Sequence, residues 1–153
     1  MRMVQQRPSD PTTLVIETLF CHTSAETVFN YLTQPALLQQ WWPQEATIEP
    51  CCGGQYHLSW PQMNWHLRGQ YLCFEPGARL TFTWHWDHDE EGTSETVVDV
   101  IIEQAVNGDI RLQLTQGPYA ETPEDQNLRL EHHLPGWLHF LPRLQACVQA
   151  TGR

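Results

Sequence analysis

The spacing of apolar residues changes period three times along the chain, and each change marks a kind of element. From Thr13 to Cys21, β-branched and apolar residues alternate with polar ones, which predicts a first strand. Thr23 or Ser24 then caps a helix carrying Val28, Phe29, Tyr31 and Leu32. Pro35 restarts the chain into a second short helix, Ala36 to Trp41, which Pro43 ends. Helices this short need a sheet to pack on.

Period-2 alternation governs the middle. Thr47 to Glu49 is a short strand, and Gly53-Gly54 marks a bulge or close backbone approach before Gln55 to Trp60, where Tyr56, Leu58 and Trp60 share a face. Pro61 to Asn64 turns the chain into Trp65 to Phe74, and Glu75-Pro76-Gly77 turns it into Arg79 to Trp86. There Leu80, Phe82, Trp84 and Trp86 alternate with Thr81, Thr83 and His85. After an acidic hairpin tip at His88 to Gly92, Val97 to Gln104 pairs with Ile110 to Gln116 across Asn107-Gly108-Asp109. Val98, Val100, Ile102, Leu112 and Leu114 form their inward set.

The last stretch, Thr122 to Ala150, returns to helical spacing. Leu130, Leu134, Trp137, Leu141, Leu144 and Val148 recur at steps of three and four, with Leu138 and Phe140 widening the face. Thr122 caps, Pro123 suits the first helical position, and Glu124 and Asp125 complement the helix dipole. Pro135 and Pro142 each remove a backbone donor and clash one turn back, so kinks or a break are expected near both, with Gly136 absorbing part of the strain.

This order predicts an α+β fold: a curved antiparallel sheet of about six to seven strands, two short helices, and one long C-terminal helix over it, with a cavity between. At 153 residues a single domain suffices, spanning 12–150, with 1–11 disordered or extended.

Charge narrows the partners. A formal net charge of −10, with eight arginines and no lysine, excludes nucleic acid and anionic membrane surfaces, both of which need basic patches. The N-terminus has no long apolar run, so neither a signal peptide nor a spanning helix is expected and the default location is the cytoplasm. Five cysteines, an odd number without paired spacing, suit structural or incidental thiols rather than a disulfide framework or a zinc site.

Four motifs carry a family resemblance. Trp41-Trp42-Pro43, Gly53-Gly54-Gln55-Tyr56, the hairpin from Gly69 through Glu75-Pro76 to Leu80-Thr81-Phe82-Thr83-Trp84, and Gly136-Trp137 with Leu141 and Leu144 occur in one order. Together they resemble the Hsp90-ATPase-activator-like group of the START-like helix-grip superfamily, over about Thr13 to Ala150. The resemblance implies a helix-grip fold and a pocket for an apolar ligand between sheet and lid. Some members of the superfamily are cyclases or other enzymes, and its named Hsp90 activators work through protein contacts.

The candidate ligand-binding residues are therefore mostly aromatic: Trp41, Tyr56, Trp60, Trp65, Phe82, Trp84, Trp86, Trp137 and Phe140, with Leu114, Leu141 and the polar Gln116. Core filling competes as an explanation for each, and Trp41 and Trp42 are expected to anchor the small helices at the cavity mouth. His85, Asp87, His88, Asp89, Glu90 and Glu91 are dense in potential ligands, yet match no zinc spacing and read equally as a solvated tip; no metal and no cofactor are expected. His57, His66, His132 and His133 are candidate proton carriers, and Arg68 a candidate polar contact. The expected function is binding of an apolar or aromatic small molecule, without covalent chemistry. A cyclase or hydrolase using the same pocket, or a protein-interaction module, are the alternatives. Exposed sheet edges allow a homodimer.

Overall fold

A computed structural model describes residues 4–93 and 95–151. Eight strands form one antiparallel sheet in the order β1-β2-β8-β7-β6-β5-β4-β3. They are β1 (Val4–Arg7), β2 (Leu14–Phe20), β3 (Glu45–Ile48), β4 (Gln55–Trp60), β5 (Trp65–Glu75), β6 (Arg79–Trp86), β7 (Thr96–Gln104) and β8 (Ile110–Gly117). The helices α1 (Ala25–Thr33) and α2 (Pro35–Leu38) join β2 to β3 at the far edge.

The alternating stretches become strands because one face of each is covered. Ile16, Leu58, Leu80, Val98, Val100, Leu112 and Leu114 are all buried on that face, packed with Val28 and Phe29 of α1 and Leu141, Leu144 and Val148 of the C-terminal helix. The sheet has one strand more than the pattern predicts. β1 lies within the N-terminal residues expected as disordered or extended; residues 1–3 fall outside the described part. Its sequence, VQQR, has a single apolar residue and hence no readable period, and it is held by backbone pairing to β2, with Val4 opposite Thr18. Register slips between Tyr71 and Cys73 in β5, a bulge that helps the sheet curl toward the helices.

Two glycines are needed where chains approach closely. A Cβ on Gly54 would lie 2.2 Å from the Glu49 carbonyl oxygen, and one on Gly69 would lie 2.2 Å from the Thr83 carbonyl oxygen and 2.4 Å from the Tyr56 ring. The space at Gly69 lets the Tyr56 hydroxyl donate to the Thr83 carbonyl at 2.6 Å.

The C-terminal helical segment runs through its prolines and changes pitch. α3 (Pro123–Asn127) starts where expected, with the Thr122 hydroxyl accepting from the Asp125 amide at 3.2 Å. A π-helical turn follows at Leu128–His133, then α4 (Leu134–Thr151). Within the wide turn the Leu134 amide donates to the Arg129 carbonyl, five residues back. Pro135, which has no amide to offer, comes directly after this changed register, and a π turn is one of the standard ways a helix takes up such a disturbance. Pro142 lies inside α4 without interrupting it. The expected disruption thus falls before Pro135 as a wide turn, and at Pro142 the helix stays continuous. α4 packs on β1, β2 and α1, and bulky side chains bridge the remaining distance to β4–β6.

Candidate functional site

Six of the seven tryptophans converge where α4, β4–β6 and the tip after β6 meet. They line a solvent-open cleft of about 710 Å³, together with Phe140, Met63, His88, His132, His133 and the acidic residues Asp89, Glu90, Glu91, Glu124 and Asp125. Alternation explains the strand contribution: Trp84 and Trp86 extend the inward row of β6 begun by Leu80 and Phe82, and Trp60 of β4 lies opposite Trp65 of β5.

Trp42 is the hub of the ring cluster. Its ring lies 5.4 Å from Trp41 and 5.9 Å from Trp84, both stacked, 5.1 Å from Trp137 and 6.1 Å edge-on to Trp60. From there rings continue outward, Trp60 to Trp86 at 5.4 Å and Trp86 to Trp65 at 6.1 Å, with His88 against Trp86 and Trp65 at 5.3 and 5.8 Å. The series runs from Trp41, 1% exposed, to Trp65, 42% exposed. One end is core and the other meets water.

Hydrogen bonds fix the inner rings. Trp41 donates to the Tyr31 carbonyl at 2.9 Å and Trp60 to the Trp42 carbonyl at 3.2 Å. Trp137 donates to the Gln116 side-chain oxygen at 2.8 Å, and the Gln116 amide nitrogen donates to the Thr96 hydroxyl at 3.0 Å. Trp84 differs: its indole N–H is buried and has no hydrogen-bond partner.

The cleft wall also holds a buried imidazole. Tyr119 and His133 Nδ1 share a hydrogen bond of 2.6 Å, and the His133 ring meets Trp84 edge-on at 5.5 Å. Burial, with His132 adding to it, pulls the His133 pKa down to about 4, so the ring is neutral near pH 7. Burial pushes the Tyr119 phenol up, so it stays protonated.

Of the residues expected to bind a ligand, Trp60, Trp65, Trp84, Trp86, Trp137 and Phe140 line this cleft. Trp41, Tyr56, Phe82, Leu114, Gln116 and Leu141 are not brought to it. They are buried beneath it, with Gln116 acting as a rest for Trp137. The sequence reading expected Trp42, with Trp41, as an anchor at the cavity mouth and did not count it among the ligand-binding residues; it lines the cleft. Trp41 and Trp42 lie in the turn after α2, and their rings stack at 5.4 Å, with Trp41 buried beneath and Trp42 reaching the cleft. Neither that stacking nor the wall formed by Glu124, Leu128 and the acidic tip was readable in the sequence, because the wall depends on how α3 and the β6–β7 connection fold back.

Of the other polar candidates, His88, Glu90, Glu91 and His132 line the cleft, while His57, His66, Arg68 and Asp87 lie away from it and Asp89 serves structure. His57 and His66 sit on neighbouring strands 2.9 Å apart, Nε2 to Nδ1, and burial, then Arg68 and His66, lower the His57 pKa. Arg68 pairs with Asp87 at 2.9 Å, and its hydrogen bonds hold the Asp87 carboxyl below the usual range. Asp89 accepts from the Trp86 amide at 3.1 Å. Among the described residues, no three His, Cys, Asp or Glu side chains converge on a point where an ion would sit.

The family profile of Activator of Hsp90 ATPase homolog 1-like proteins matches residues 22–149. None of the curated proteins matches the chain in sequence. Solved structures with the same fold include a Mesorhizobium loti protein, 24% identical, covering 91% of this chain and 98% of its own, with a TM-score of 0.77. A Rhodobacter sphaeroides protein is 23% identical, covering 96% of this chain and 98% of its own, with a TM-score of 0.76. The Aha1 dimer from Colwellia psychrerythraea is 15% identical, covering 90% of this chain and 96% of its own, with a TM-score of 0.74. At these identities they establish the fold.

Proposed function

We propose that this chain, which belongs to the family of Activator of Hsp90 ATPase homolog 1-like proteins, binds an apolar or aromatic small molecule in the tryptophan cleft. One observation carries the reading: six tryptophans face one open cleft, and although Trp60, Trp84 and Trp137 are rooted in the core, the row of rings continues outward to Trp65, which is 42% exposed. A cleft of about 710 Å³ falls within the size range of small-molecule sites, and a wall of indoles gives a flat ligand stacking area at little entropic cost. Hydrogen bonds already fix Trp60 and Trp137, so the surface is organised before anything binds.

Binding is favoured over proton-transfer catalysis. His133, the buried imidazole in the wall, has a pKa near 4, far from the operating pH at which a general base works well. Its role is to offer a neutral ring and to hold Tyr119. Two coarser expectations go with this reading. No described helix is long and apolar enough to cross a membrane, which is compatible with the proposed cytoplasmic location. The dimeric Colwellia relative supports a homodimer, to be checked by light scattering on the purified chain.

The test is native mass spectrometry of the freshly purified protein against its denatured mass, followed by titration with an apolar dye. A small molecule released on denaturation, or saturable dye uptake abolished by Trp65→Ala with Trp86→Ala, is the expected result. An empty protein that takes up no dye overturns the reading and moves the function to a protein-interaction surface.

A further inference from the structure

The cleft combines two features that individually say little. Its floor and walls are indole faces, and its rim is acidic: Asp89, Glu90 and Glu91 on the tip after β6, and Glu124 at the start of α3. Among the described lining residues there is no arginine. Arg143 lies 5.8 Å from the centre of the Phe140 ring without itself lining the cleft. Glu90, Glu91 and Glu124 form no ion pair with a described basic side chain. Asp89 is partly engaged, by the Trp86 amide and, at 4.0 Å, by His85.

Aromatic faces carry negative electrostatic potential, and carboxylates at the mouth of an apolar, low-dielectric cleft add to it. The whole chain, at −10, deepens the same field. Such a site repels a carboxylate, sulfonate or phosphate and leaves a neutral ligand indifferent. A cation is attracted twice, by the ring faces and by the rim.

We propose that the ligand is cationic: an aromatic or apolar body bearing a protonated or quaternary amine, the body against Trp42, Trp84 and Trp86 and the charge toward Glu90, Glu91 and Glu124. This rests on the reading of the cleft as a small-molecule site and names the ligand's chemical class. The three carboxylates supply the discrimination, and the tryptophans supply the contact area.

Three probes with one shared ring system separate the possibilities: 1-naphthylmethylamine, 1-naphthylmethanol and 1-naphthylacetate, titrated calorimetrically at neutral pH and low salt. The amine is expected to bind about tenfold tighter than the alcohol, a factor set by a cation over a partly desolvated indole plus a nearby carboxylate, and the acetate weaker than the alcohol. Glu90→Gln with Glu91→Gln narrows the gap between amine and alcohol to about twofold. Glu26→Gln with Glu45→Gln, on α1 and β3 and outside the cleft, changes the net charge equally and leaves that gap as it was, which separates a local effect from attraction by net charge. If alcohol or acetate binds as tightly as the amine, the cationic ligand is wrong while small-molecule binding stands. If no probe binds, both fall.

Discussion

At the scale of single residues, two buried groups make the chemistry of the cleft measurable. Trp84 and Trp137 occupy similar positions in the ring cluster, 8% and 4% exposed, but Trp84 has an orphan N–H and Trp137 donates to Gln116. Trp→Phe at either site removes similar apolar area, so the difference between the two variants isolates the hydrogen bond. Trp137→Phe leaves the Gln116 oxygen unpaired in the interior, at about 1–3 kcal/mol, whereas Trp84→Phe removes a donor that was never satisfied. Urea midpoints are therefore expected to rank Trp84→Phe well above Trp137→Phe; equal midpoints would remove the role given to Gln116. His133 gives the second prediction. Its folded pKa of about 4 lies below the unfolded value of 6.5, so its contribution to stability is complete above about pH 6.5 and is lost as pH falls toward 4. Between pH 7 and pH 5 the loss is about 2 kcal/mol, with His57, also lowered, adding in the same direction. His133→Gln keeps an acceptor for the Tyr119 hydroxyl and removes the titration. The wild-type stability curve should therefore fall more steeply than the variant's across that window, and parallel curves would show that His133 protonates as freely when folded as when unfolded.

At the scale of elements, strands were legible and helical pitch was not. The boundaries read for Gln55–Trp60 and Arg79–Trp86 coincide with β4 and β6 because alternation there is strict and glycine or proline turns flank it. β1 escaped because a four-residue edge strand draws its stability from its neighbour's backbone. The tryptophans were legible as candidates by their number, but which of them meet solvent depends on the long segment from α3 to α4. There a local rule, that an internal proline breaks a helix, met a tertiary override: the apolar face of α4, Leu141, Leu144 and Val148, is fully buried and holds the helix through Pro142. The proline still leaves the Leu138 carbonyl without its usual amide, on the exposed side. Pro142→Ala should therefore stabilise the protein by about 1–2 kcal/mol, the restored bond being partly offset by a freer unfolded chain. Pro135→Ala should gain less than half as much, because the π turn has already changed the register there. Thermal melts of the two variants decide it, and a destabilised Pro142→Ala would mean that α4 is shaped around the proline's kink.

At the scale of the whole molecule, the fold separates a region that holds it together from a region that faces outward. The packed half lies between β2, β7 and β8 and the helices α1 and α4, where Ile16, Phe20, Val28, Leu112 and Leu144 are completely shielded. The cleft half lies at the ends of β4–β6, where the ring series climbs to Trp65 and Met63, both about half exposed. A binding surface requires apolar area left uncovered, and a stable core requires the opposite, so one set of side chains serves poorly for both. The two meet at Trp60, Trp84 and Trp137, which belong to the buried cluster, and hydrogen bonds hold Trp60 and Trp137 in place there. Mutations should accordingly divide. Leu144→Ala opens a hole in a site with no room to collapse and should cost about 2–5 kcal/mol, while the surviving folded protein keeps its affinity for an apolar dye. Trp65→Ala removes a ring that is already largely wet, and should cost under about 1 kcal/mol while weakening dye binding severalfold. Measuring urea stability and dye affinity on the same two variants tests this division directly. If Trp65→Ala proves as destabilising as Leu144→Ala and leaves the dye affinity unchanged, the outer tryptophans are core after all, and the cleft is a gap in packing instead of a site.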